Sequence, residues 1–243
     1  MRNPWILATA STVALVGANE AHAATPYSWT GFYVGLNAGG ANHQATTQDL
    51  NGWAANGPNN PPYVTPWFKS SKTGGTFGAQ AGYNWQMNSF VFGFEADASH
   101  VGISQSIVPA NTLAAACGNC GVLATNEITW LTTMRGRLGF AFDRVLFYGT
   151  AGAAAGYVNN HWGFGFIPFS DRQFNVSGAQ VGYVVGGGIE AMITTNVLLR
   201  AEYLHVDLGT SRQTIVWGGP GPSFTTEFKN TVDIARVALS FRW

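Results

Sequence analysis

Apolar and polar side chains alternate along most of the chain from Gly31 onward. Between Gly31 and Gly39, Phe32, Val34, Leu36 and Ala38 take one face, and Gly31, Tyr33, Gly35, Asn37 and Gly39 take the other. A period of two is the signature of a strand with two different surroundings. The same reading holds for residues 76–85, 90–103, 127–142, 145–158, 178–193, 197–208 and 228–243. Phe90, Phe92 and Phe94 oppose Val91, Gly93 and Glu95; Trp130, Met134, Leu138 and Phe140 oppose Thr133, Arg135, Arg137 and Gly139. In the fifth segment the polar face is Tyr148, Thr150 and Gly152, and in the sixth Gln180, Gly182, Gly186, Gly188 and Glu190 oppose Val181, Tyr183, Val185 and Ile189.

Eight strands follow from this pattern, joined by links of two kinds in alternation. Short links fall at residues 86–89, 143–144 and 194–196, and long ones rich in Gly, Pro, Asn and Ser at 41–75, 104–126, 159–175 and 209–227. Short turns alternating with long loops on an even number of strands predict an all-β, antiparallel up-and-down transmembrane barrel with eight strands.

Composition decides which face points outward. Charged residues are only 10% of the chain against 46% apolar and 14% aromatic, where ordinary soluble domains carry about 25% charge. Twelve basic residues balance twelve acidic ones, so no basic face recruits nucleic acid. The aromatic content argues against disorder, and no uninterrupted apolar run after the N-terminus approaches the ~20 residues of a spanning helix. A soluble carrier barrel would need a charged exterior. Turning the aromatic and aliphatic side to lipid accounts for the scarcity of charge, and it places Glu95, Asp97, Glu190 and Glu202 on the inward face with Arg135, Arg137, Arg200 and Arg236. Eight strands leave an interior just wide enough for side chains to fill, so this set is expected to form a paired lumenal plug. Asp233 is the exception, turned outward by the alternation, and is expected above the hydrocarbon.

Residues 1–23 read as a secretory signal. Arg2 precedes an apolar stretch from Trp5 to Gly17, and Ala21-His22-Ala23 has the form of a cleavage site. Cleavage removes one charge of each sign, Arg2 and Glu20, and leaves 24–243 as the barrel domain. The expected location is the outer membrane of a Gram-negative cell. Trp29, Phe32, Trp85, Phe90, Phe142, Phe147, Phe241 and Trp243 all fall beside the short turns, where an interfacial aromatic girdle belongs.

Other residues offer chemistry. Cys117-Gly118-Asn119-Cys120 has the spacing of a redox or zinc half-site. No βαβ setting lowers a thiol pKa and no further zinc ligands stand nearby, so a disulfide stapling the second long loop is the preferred reading. His205 and Asp207, two apart on one strand, form half of a hydrolase-like constellation with only Ser99 or Ser211 to suggest as nucleophile. A rim contact to lipopolysaccharide or to neighbouring strands is the plainer account. Trp53, Tyr63, Trp67 and Phe68 in the first long loop could meet a surface ligand, and His43 and His161 are placed in loops as candidate heme ligands. No catalytic set, metal or cofactor is expected.

Three stretches resemble a known group: Trp29-Thr30-Gly31-Phe32-Tyr33-Val34-Gly35, Ala201-Glu202-Tyr203-Leu204-His205-Val206-Asp207-Leu208-Gly209, and Arg236-Val237-Ala238-Leu239-Ser240-Phe241-Arg242-Trp243. They are similar to the small outer-membrane β-barrel proteins of alphaproteobacteria, a group of surface antigens and hemin-binding proteins related in form to OmpA-like and OmpX-like barrels. The resemblance implies a structural or surface-interaction role, often described as porin-like, with outer-membrane lipid, lipopolysaccharide, a surface ligand and the barrel-assembly machinery as partners. The last strand resembles the assembly signal of such proteins, carried here by Val237, Leu239, Phe241 and Trp243, with Trp in place of the usual terminal Phe.

Overall fold

The computed structural model describes residues 27–50, 68–107, 120–166, 172–216 and 223–243; residues 1–23, Cys117, Trp53, Tyr63 and Trp67 lie outside them. Eight strands follow one another: β1 (Gly31–Asp49), β2 (Phe68–Met87), β3 (Phe90–Ile107), β4 (Cys120–Phe142), β5 (Val145–Phe166), β6 (Arg172–Met192), β7 (Val197–Val216) and β8 (Ser223–Arg242). Each pairs antiparallel with its sequence neighbour, and β1 pairs with β8 from Tyr33↔Arg242 to Asp49↔Thr226, which closes the barrel. Next to the short turns closure leaves no unpaired edge, the condition for a sheet to stand in hydrocarbon. Toward the long loops, in contrast, β2 pairs with β3 only as far as Thr76↔Val101 and β6 with β7 only as far as Tyr183↔Asp207. At two short turns Asn88 and Asp143 adopt positive φ, the left-handed region that these residue types tolerate.

The strands run to 23 residues in β4, although about 9–11 suffice to span the bilayer. The stretches read as loops at 41–49, 68–75, 104–107, 120–126, 159–166, 172–175, 209–216 and 223–227 are therefore strand. Both faces of these extensions are polar in part, so alternation does not reveal them.

The outer face is apolar and bare: Leu36, Phe94, Met134 and Val181 are each more than two-thirds exposed. In a chain so poor in charge this surface is a lipid-facing band, rimmed near the short turns by Phe32, Trp85, Phe90, Phe142, Phe147, Phe241 and Trp243, all exposed. Trp29 departs from the expected girdle. It is fully buried beneath the barrel, where it packs with Tyr33, Val91, Leu146, Tyr148, Met192 and Leu198. The segment before β1 is tied there by Trp29 N–H donating to Gln86 Oε1 at 2.7 Å, and by the Arg144 guanidinium 4.5 Å above the Tyr27 ring.

Candidate functional site in the lumen and on the outer wall

Above the Trp29 layer the inward positions of β3, β4, β6, β7 and β8 meet as one charged layer. Glu95, Asp97, Arg135, Arg137, Glu190, Arg200, Glu202 and Arg236 are all buried in the lumen. Arg135 touches three carboxylates: Glu95, Asp97 at 2.9 Å and Glu202 at 3.0 Å. Arg137 lies 2.5 Å from Glu190, and Arg200 bridges Glu95 at 2.5 Å and Glu190 at 3.2 Å. Arg236 bridges Asp97 at 3.0 Å and Glu202 at 2.7 Å. Two phenols complete the layer, with Tyr33 Oη donating to Glu95 at 2.6 Å and Tyr148 Oη to Glu202 at 2.7 Å. The Arg137 guanidinium sits 4.0 Å from the centre of the Tyr148 ring, a cation–π contact worth most when desolvated.

Burying a charge is costly unless it is paired and hydrogen-bonded, and here acids and bases are equal in number and share partners. The tyrosines fit because their neighbours are glycines. A Cβ on Gly82 would stand 2.4 Å from Tyr33 Oη, and one on Gly188 2.8 Å from Tyr148 Oη. Beside the charges, Asn37, Gln80, Ser99 and Ser240 form a neutral chain of side-chain hydrogen bonds between 3.1 and 3.3 Å.

Toward the long loops the lumen turns apolar, which alternation alone does not disclose. Val101, Ile103, Ile128, Leu131, Val184, Leu204, Val206, Val232 and Ile234 pack together inside the wall. Higher still, His43 stands on β1 and not in a loop, fully buried, with Nε2 3.0 Å from Asn230 Oδ1. Asn230 in turn donates to Gln180 at 3.1 Å. The His43 ring is therefore enclosed in the lumen and held at one nitrogen by Asn230, and is not a loop side chain open to a surface ligand. His161 falls on β5 and Phe68 opens β2. Cys120 opens β4, while its proposed disulfide partner lies outside the described residues.

On the outer wall His205 finds a different carboxylate from the one expected. Asp207 accepts from Gly209 N–H at 2.8 Å and lies 3.3 Å from Lys229 Nζ, at a bulge between Asp207 and Thr210. His205 Nδ1 is instead 2.7 Å from Asp233, its register partner on β8. Asp233 also accepts from Tyr203 Oη at 2.8 Å and Gln44 Nε2 at 3.1 Å. Its outward carboxylate is thus hydrogen-bonded to three side chains of the wall. Ser99 is buried in the lumen, bonded to Asn37, on the opposite side of the wall from His205, and Ser211 lies beyond the bulge. The constellation therefore lacks a serine nucleophile from either suggested position.

At the end of β8, Val237, Leu239, Phe241 and Trp243 are all exposed to the lipid side.

Comparison with known proteins agrees with this architecture. The family model described as outer membrane protein beta-barrel domain matches residues 11–239. The 31 kDa outer-membrane immunogenic protein of Brucella melitensis is 33% identical over 220 residues, which cover 84% of this chain and 83% of that protein. A 22 kDa outer membrane protein of Rhizobium leguminosarum is 35% identical over 133 residues, 54% of this chain and 52% of the relative. Among solved structures, the outer membrane protein OprG of Pseudomonas aeruginosa covers 89% of this chain and 98% of its own at 11% identity, with a TM-score of 0.49. On the sequence matches and the closed barrel together, the chain belongs to the outer membrane protein beta-barrel family, and its place is the outer membrane.

Proposed function

We propose that this protein is a non-enzymatic wall element of the outer membrane, which stabilises the envelope and holds its long loops at the cell surface. The observation that carries the reading is the filled lumen. Its ion-paired arginines and carboxylates have side chains no more than 2% exposed, between the Trp29 layer on one side and the apolar cluster on the other. Such an interior favours a structural and surface role over conduction of solutes. On this reading residues 1–23 direct export, residues 237–243 engage the barrel-assembly machinery, and lipopolysaccharide and other outer-membrane lipids are the main partners. The surface ligand acts through the long loops, stapled in the second by Cys117 and Cys120.

A deletion strain tests this. Loss of the protein is expected to raise sensitivity to detergent and chelator, with rescue by the intact chain. Unchanged sensitivity in the deletion strain would contradict the envelope role, and ester or peptide hydrolysis by pure protein that vanished in His205→Ala would contradict the non-enzymatic one.

A further inference from the structure

The lipid-facing wall is not the same all round. From β2 to β5 its end nearer the long loops carries an aromatic row: Phe77 and Trp130 each pack against His100 with ring centres 5.3 Å apart, and Tyr157 is paired with Trp130. Around β7, β8 and β1 that end carries the polar cluster of Tyr203, His205, Asp233 and Gln44. Charged groups on a lipid face are destabilising to a degree that depends on depth, so an Asp held there by three donors calls for a reason beyond folding.

Further toward the loops, two lysines flank one residue of β1. Thr46 is the register partner of Lys69 on β2 and of Lys229 on β8. Strands about 4.8 Å apart put the two lysine backbones roughly 10 Å from each other. Both lysines are exposed, Lys229 by about half of its side chain even with Asp207 beside it. Below them, the ring nitrogen of His205 not engaged by Asp233 is Nε2, on a side chain 38% exposed. The wall thus presents, in order toward the loops, an apolar band, a hydrogen-bonding His–Asp–Tyr cluster and a pair of cations. That sequence matches acyl chains, sugar hydroxyls and phosphates in one amphiphile.

We propose that the outer face of β7, β8, β1 and β2 is a binding site for a phosphorylated glycolipid of the outer leaflet. Lys69 and Lys229 hold its phosphate, and His205, oriented by Asp233, bonds to its sugar. The inference deepens the envelope role by giving one lipid partner a place on the wall. It can fail while the envelope role stands, since the deletion phenotype does not depend on this contact.

The test uses the full-length folded protein in detergent micelles, with adducts read by native mass spectrometry. The probes are a diphosphorylated diglucosamine lipid, its dephosphorylated counterpart and inorganic phosphate. The diphosphorylated lipid is expected to bind and the dephosphorylated one to bind much less. A surface lysine contributes about fivefold to binding of an anionic lipid, so Lys69→Ala with Lys229→Ala is expected to weaken binding roughly 30-fold. His205→Ala should weaken it less, and Arg144→Ala at a short turn should leave it unchanged. Heat-modifiable mobility on gels confirms that each variant is folded. Equal binding by the lysine variant, equal binding of the dephosphorylated lipid, or a dimer mass in place of the lipid adduct would overturn the proposal. Displacement of the lipid by inorganic phosphate at similar concentration would assign the site to a free anion and overturn it also.

Discussion

Arg236 of β8 reaches across the lumen to Asp97 of β3, Nη1 to Oδ1 at 3.0 Å, although 139 residues separate them in the chain. The two strands are not neighbours in the barrel, with β1 and β2 between them, so this contact ties separated parts of the wall and not adjacent ones. Removing one partner of a buried pair leaves an uncompensated charge and costs about 3–5 kcal/mol. Arg236→Leu is therefore expected to lower the urea unfolding free energy in micelles by about that amount. Removing both partners, as Asp97→Asn with Arg236→Gln, should cost less than the two single changes added together. Strict additivity would show that the two groups do not interact.

Gly82 makes room for Tyr33, whose hydroxyl would lie 2.4 Å from any added Cβ. Gly82→Val must displace the phenol that donates to Glu95, and overpacking of this kind costs about 1–3 kcal/mol. The variant is expected to show a lower unfolding midpoint and a smaller heat-modifiable fraction. Behaviour like that of the unaltered protein would mean that Tyr33 is not seated as described.

Trp243 ends the outward row of Val237, Leu239 and Phe241, and an aromatic at the end of alternate apolar residues is the form of an assembly signal. Deleting Trp243 is expected to reduce the folded protein in outer-membrane fractions. Equal amounts of heat-modifiable protein in both strains would count against that role.

Much of the barrel is legible in the chain wherever the two faces of a strand meet different surroundings. Glu95 and Asp97 alternate with Phe94 and Ala96, so lipid on one side and a packed polar lumen on the other leave a clear period. The signal fades where that contrast ends. Toward the long loops, Asn42, Gln44 and Thr46 face outward and are polar, so His43 and its surroundings read as loop although they are strand. Trp29 precedes the first alternating residue, and nothing in the pattern separates a buried stopper from a girdle residue. Val184, Leu204 and Val232 are apolar and lumenal while their outward neighbours include apolar residues too, which hides the layer they form. The carboxylate beside His205 depends on the pairing of β7 with β8, 28 residues away, and Asp207, closer in sequence, is drawn off by the bulge.

The lumen is filled from the Trp29 layer through the charge network to the apolar cluster. Planar-bilayer recording of the pure, folded, full-length protein is expected to show no stable conductance above that of the protein-free membrane, and stable, large conductances would contradict a filled lumen.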